Sequence, residues 1–160
     1  MTDLITDSLR MERVSRFINT LNQAQTLGIT VVEANAEHLI LRLPYSEHIV
    51  GNPDTRVIHG GAITTLMDTA SGSVMICALP EFELCPTLDL RVDYMRPAEP
   101  DRPVFARAIA YRVTKNIIFT RCEAYQDEGS TIANCVGTFM RIGKEATPKP
   151  YRDLIAGSDQ

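Results

Sequence analysis

The spacing of apolar residues along this chain switches between three-to-four and two, and each switch marks an element. Over residues 6–27, Leu9, Val14, Phe17, Ile18 and Leu21 fall on one helical stripe, while Arg10, Glu12, Arg13 and Arg16 take the wet side. Thr6 or Asp7 can cap the start and Gly28 stops it, so the pattern predicts one amphipathic helix packed onto a larger domain. Residues 28–33 and 37–43 are β-branched or alternating runs joined by Ala34-Asn35-Ala36, a hairpin pattern that Pro44 ends. Residues 45–56 are rich in turn formers (Gly51, Asn52, Pro53, Asp54) and predict a loop.

The stretch 57–79 returns to helical spacing, with Ile63, Leu66, Met67, Ala70, Val74 and Cys77 at steps of three or four. It holds no lysine or arginine and almost no polar face, which predicts a helix buried on most sides. Asp68 is its one acid. A carboxylate in such a helix is costly unless it is hydrogen-bonded or used.

After Pro86 the period is two. Leu88, Leu90, Val92 and Tyr94 alternate with Asp89, Arg91 and Asp93, and a turn follows at Pro97, Pro100 and Pro103. Three long strands are predicted at 104–113, 117–126 and 130–141, joined by Thr114-Lys115-Asn116 and Asp127-Glu128-Gly129. Residues 143–160, with two prolines and few apolar side chains, read as a tail. The expected architecture is α+β: an antiparallel sheet of about six strands wrapped around one buried helix. An N-terminal helix (1–27) packs on the domain proper (28–142), and the tail (143–160) follows.

Composition narrows the partners. The chain has 160 residues, 44% hydrophobic and 22% charged, which is globular and of single-domain size. Its net charge is −4 with no basic block, which argues against a nucleic-acid surface. Cys77, Cys85, Cys122 and Cys135 show no CxxC spacing, so reduced, buried thiols in a cytoplasmic protein are expected, without disulfides or zinc. Acids early in the N-terminus argue against a secretory leader, and no run of about 18 apolar residues predicts a membrane span. His38 and His48 each sit beside a glutamate with Pro44 between them, a poor metal pattern, and are expected at the surface.

Gly51-Asn52-Pro53 before the central helix, His59-Gly60-Gly61 at its start, Asp68 within it, and Leu90-Arg91-Val92-Asp93-Tyr94-Met95-Arg96-Pro97-Ala98 downstream together form a pattern. Over roughly residues 28–142 the chain resembles the hotdog-fold acyl-CoA thioesterases, in particular the phenylacetic-acid-pathway (PaaI-like) branch. That resemblance implies hydrolysis of an acyl-CoA thioester with no cofactor beyond the coenzyme A of the substrate, and self-association to a homodimer or homotetramer. It also implies that Asn52 helps hold the thioester or the water, and that Thr87 orients the water.

The chemistry fits those residue types. Thioester hydrolysis needs a polarised carbonyl and an activated water or a carboxylate nucleophile. Backbone N–H groups at a helix start lack helix partners and can hold a developing oxyanion, so Gly60 is the expected donor and Gly61 an acyl-contacting position. Packing at a tight entry turn is the alternative explanation for both glycines, and the helix-terminus anion site is the favoured one. Asp68 is the expected base or nucleophile, against the alternative of an acid paired with Thr64, Thr65 or Thr69. His59 is expected to position the loop rather than move protons. Asn52 would serve as a plain turn former and Thr87 as a plain strand threonine if the site lies elsewhere. Arg96 and Lys115 are candidates to meet the coenzyme A phosphates, with Arg56, Arg91 and Arg121 as others. Tyr94, Met75 and Phe82 are candidates for an acyl tunnel.

Nine residues from His59 to Asp68 span about 13.5 Å and about 900° of turn, which sets the two ends of the motif far apart on opposite faces. Two antiparallel copies related by a two-fold axis would bring each helix start to the other's Asp68. Rival readings are a hydratase or dehydratase on the same fold, whose fingerprint around the histidine is absent, and a non-catalytic acyl-CoA or lipid-binding protein.

Overall fold

The computed structural model describes residues 5–157. The N-terminal stripe forms α1 (Asp7–Thr20) and α2 (Asn22–Leu27), not one helix. Thr6 caps α1 by accepting from the Leu9 N–H at 3.2 Å. The break falls at Leu21, which is extended. Thr20 turns its hydroxyl back onto the Phe17 carbonyl, competing with the helix ladder, and the Ile18 carbonyl accepts both the Leu21 N–H and the Gln25 side-chain amide at 3.2 Å. Gly28 closes α2 at φ 68°, a left-handed conformation in which a side chain would be strained.

The chain then forms β1 (Thr30–Ala34) and β2 (Leu39–Leu43), a single turn of 3₁₀ helix (Glu47–Ile49), and a small ribbon of β3 (Val50–Asn52) and β4 (Val57–Ile58). This ribbon delivers the central helix, α3 (Gly60–Ala78). Four strands follow: β5 (Thr87–Tyr94), β6 (Val104–Val113), β7 (Ile117–Tyr125) and β8 (Thr131–Met140). The main sheet is six-stranded in the order β1-β2-β6-β7-β8-β5, antiparallel at every pairing. The expected α+β, helix-in-sheet arrangement is therefore what the chain adopts.

The whole predicted stripe of α3 is buried, from Ile63 to Cys77, and so are Ser71, Ser73, Met75 and Ile76 on other sides. Large side chains buried this fully contribute about 1.5–3 kcal/mol each. The sheet lies under one side of α3 and α1 against another. Arg10 of α1 was expected to stay wet. It is half-buried instead and donates to the Cys77 carbonyl at 3.1 Å, and Arg13 reaches the Pro80 carbonyl. These cations sit where the carbonyl end of α3 favours positive charge and has no basic residue of its own.

The expected tail is not featureless. Residues Lys149–Ala156 form α4, which rests on α1 through the fully buried Ile155. Its prolines lie at the helix start, where a missing N–H costs nothing, so they mark an entry and not an obstacle. Glu83 is pinned to the strand exit by a forked ion pair with Arg141 (2.7 and 2.5 Å), and its other oxygen accepts from the Gly143 N–H at 2.7 Å. All four cysteines are free thiols.

Candidate active site

The ribbon before α3 fixes the helix start. The His59 N–H donates to the Ile49 carbonyl at 2.7 Å, and Gly51 packs so closely that a Cβ there would lie 2.9 Å from the His59 Cα. His59 is the N-cap of α3: its Nδ1 accepts from the Gly61 N–H at 2.9 Å. In the neutral ring the proton therefore sits on Nε2. The cap occupies the Gly61 N–H and leaves the Gly60 N–H without an acceptor among the described residues.

Tyr94, at the end of β5, covers this helix start. Its hydroxyl donates to the Gly60 carbonyl at 2.5 Å and accepts from the Thr64 hydroxyl. A Cβ on Gly60 would come within 3.2 Å of the Tyr94 ring, so the glycine lets the tyrosine lie on the backbone. Sequence reading placed Tyr94 on an acyl tunnel; the structure makes it the clamp of the helix start. Its alternation in β5 gave no signal of that, because the contact depends on how the strand end meets the helix.

Asp68 lies eight residues beyond Gly60 and is partly buried. Measured from Gly60, the first helical residue, the leftover rotation is about 80° and not half a turn; the axial separation of about 12 Å is what keeps them apart. Thr87, the first residue of β5, donates its hydroxyl to Asp68 Oδ1 at 3.0 Å. Of the other partners considered for Asp68, Thr64 is engaged with Tyr94 and Thr65 with the Gly61 carbonyl at 2.9 Å, and Thr69 makes no side-chain hydrogen bond among the described residues. Asp68 Oδ2 has no partner among the described residues.

Asp68 and Thr87 stand at the edge of a cavity of about 320 Å³. It runs along α3 past Thr69, Gly72, Ser73 and Ile76 and is closed by Phe17, Leu21, Phe82, Phe139 and Ile142. Phe82 is thus on its wall, while Met75 faces a separate cluster with Leu79, Ile118 and Phe139. Two acidic or nucleophilic neighbours are removed from the chemistry. Glu83 has both oxygens engaged, and burial, reinforced by the Glu83 carboxylate, pushes the Cys85 thiol up to about 12, so it stays protonated at neutral pH.

The remaining candidates are scattered. Asn52 is exposed, and its amide oxygen accepts from the Asp54 N–H at 2.9 Å, the geometry of a turn former. Arg96 donates to the Ser130 carbonyl and hydroxyl (2.7 and 2.6 Å) and to the Thr131 carbonyl, bracing the β7–β8 turn. Arg56 is forked onto Asp101 at 2.8 Å, Arg91 pairs with Asp93, and Arg121 stacks over Tyr111. Lys115 is exposed in the β6–β7 turn and makes no ion pair among the described residues. Within one chain the structure joins Asp68 to Thr87 and His59 to Gly60 and Gly61; it does not join the two groups, nor bring Asn52, Arg96 or Lys115 to either.

Among the described residues no helix is long and apolar enough to cross a membrane. Residues 56–133 match the model of the thioesterase superfamily. An esterase-class relative from Halobacterium salinarum is 37% identical over 94 residues, which is 57% of this chain, and the chain spans only 61% of that protein's length. The medium/long-chain acyl-CoA thioesterase YigI of Escherichia coli is 29% identical over 129 residues, covering 72% of this chain and 83% of its own. A crystal structure of a Pseudomonas aeruginosa protein superposes with a TM-score of 0.77 at 57% identity, over 83% of this chain and 99% of that one. The PaaI protein of the E. coli phenylacetic acid operon shares the fold, with a TM-score of 0.75 at 18% identity over 87% of this chain and 97% of that one. This chain belongs to the thioesterase superfamily.

Proposed function

We propose that the protein is an acyl-CoA thioesterase in which Asp68 of one subunit and the helix start of another share each active site. The observation that carries the reading is the Thr87–Asp68 hydrogen bond at the cavity edge, which fixes one carboxylate oxygen and leaves the other open. Asp68 takes a proton from a water that attacks the thioester carbon. The carbonyl oxygen becomes an oxyanion and accepts from the Gly60 N–H of the partner subunit, which has no acceptor among the described residues of its own chain and lies at the positive end of α3. Collapse of this intermediate breaks the C–S bond. Coenzyme A leaves as its thiol after taking up a proton, and the acyl group leaves as the free acid. Direct attack by the Asp68 carboxylate through an anhydride would yield the same products.

Pairing of two copies is supported by β5, an open edge of the main sheet on which Leu88 is 54% exposed among the exposed Asp89, Arg91 and Asp93. Its unpaired N–H and C=O groups can receive a strand of a second copy. Lys115 and Arg96 remain the proposed contacts to the coenzyme A phosphates, Lys115 with its ammonium unengaged and Arg96 at the base of β5.

The test is thiol release from a panel of acyl-CoAs by wild type and Asp68→Asn. A side-chain base is worth about 10²–10⁴-fold, and kcat is expected to fall by that order while melting temperature is retained. Equal rates would remove Asp68 from the mechanism. No turnover of any acyl-CoA by wild type, with binding retained, would favour the non-catalytic acyl-CoA-binding reading.

A further inference from the structure

The stretch that matches the superfamily model, residues 56–133, contains Gly60, Asp68 and Thr87, but it does not enclose the cavity behind Asp68. Phe17 and Leu21 come from before that stretch, Phe139 and Ile142 from after it. The shared part of the fold thus holds the groups proposed for the chemistry, and the flanking segments shape the space next to it. Resting on the thioesterase reading above, we propose that Phe17 and Leu21, with Phe82, are specificity-determining residues that end an acyl pocket fitted to a straight aliphatic chain of about ten carbons.

The length of the cavity sets the size of the tail. From Asp68 to Ile76 along the cavity wall is eight residues, about 12 Å of helix. A zigzag carbon chain with bonds of about 1.52 Å advances roughly 1.25 Å per carbon, so about ten carbons fill that length. The cavity holds about 320 Å³. A cavity of that length and volume has room for a medium-length aliphatic tail, which a short acyl group leaves largely unfilled.

The end wall is set by packing between elements. Phe17 of α1 meets Phe82, just beyond the end of α3, with ring centroids 5.7 Å apart. Both lie at the carbonyl end of α3, away from Asp68, where Arg10 and Arg13 tie α1 down. Leu21 reaches the same cavity because the helix breaks there. Besides Asp68, the charged side chain on the wall is Glu83, which is paired with Arg141, so the wall offers no cation to a tail ending in a carboxylate.

Two variants test this from opposite directions, with saturated straight-chain acyl-CoAs from acetyl to palmitoyl as the probes. Gly72→Ala adds a methyl to the bore one turn beyond Asp68. Its Cβ would lie 3.4 Å from Phe139 Cε1, an ordinary contact, so the fold tolerates it. We expect the ratio of kcat/KM for decanoyl-CoA to that for acetyl-CoA to fall at least tenfold, the scale of one misplaced methyl in an apolar pocket. Phe17→Ala opens the end wall and is expected to move the optimum by several carbons towards palmitoyl-CoA, with folding checked by circular dichroism and thermal melting. An unchanged chain-length profile in both folded variants would overturn the pocket assignment. That outcome is distinct from failure of the thioesterase reading, which would show as a wild type with no Asp68-dependent thiol release.

Discussion

Thr87 is the residue on which the orientation of Asp68 depends. It sits at the exposed first position of β5, and its hydroxyl reaches back 3.0 Å to a carboxylate on α3. Thr87→Val keeps the β-branched shape and removes the donor. The carboxylate then gains rotamer freedom, and kcat is expected to fall about tenfold, the order of one hydrogen bond to a charged group. Stability should barely change because the position is exposed. Thr87→Ser, which restores the donor, should recover most of the activity. A Val variant with wild-type kcat would reduce Thr87 to an ordinary strand residue. His59 shows the limit of residue-level reading. The lack of a neighbouring acid argues in the sequence for a positioning role over proton transfer, but that the side chain caps α3 through Nδ1 was not legible, since histidine is not a usual N-cap.

Among the elements, α3 was the most legible, because nineteen residues of helical spacing without a cation leave few alternatives. The sheet followed from alternation and turn chemistry. What the pattern hid were features decided by contacts: the break at Leu21, the docking of Arg10 and Arg13 on the end of α3, and α4, whose eight residues are too few to outweigh two prolines. The packing around α3 also stores a pH response. Cys77 on α3 and Cys135 on β8 are pushed up chiefly by burial, to about 12 and about 11, and Cys122, opposite Cys135 on β7, is raised further. A thiol whose folded value is raised stabilises the fold fully below its ordinary value near 9.0, and that contribution is lost as pH rises through the folded value. Melting temperature should therefore decline between about pH 9 and pH 12 as the thiols ionise. Ultraviolet thiolate absorbance in the native protein should stay low at pH 10, where the urea-unfolded chain is already ionised. A native titration that overlays the unfolded one would show these thiols to be accessible.

At the scale of the whole molecule, the proposed oxyanion donor and the proposed base lie about 12 Å apart on the same helix of one chain, and a single thioester cannot reach both. The proposed solution is a two-fold pair, each helix start meeting the other's Asp68. Gly60→Pro isolates the donor half. Proline is tolerated at the first position of a helix and removes only the N–H, and His59 already has the extended backbone that proline requires before it. The ring must still fit beside Tyr94, so thermal melting accompanies the assay. Alone, Gly60→Pro and Asp68→Asn should each lose most activity. Mixed one to one with free exchange, half the pairs are heterodimers, and each heterodimer has one intact site of two, so activity should return to about a quarter of wild type. Co-expression with two affinity tags gives the heterodimer directly, and it should reach about half. An inactive purified heterodimer, or a wild type that is monomeric and fully active at assay concentration, would sink the shared site and confine the chemistry to Asp68, Thr87 and the cavity of a single chain.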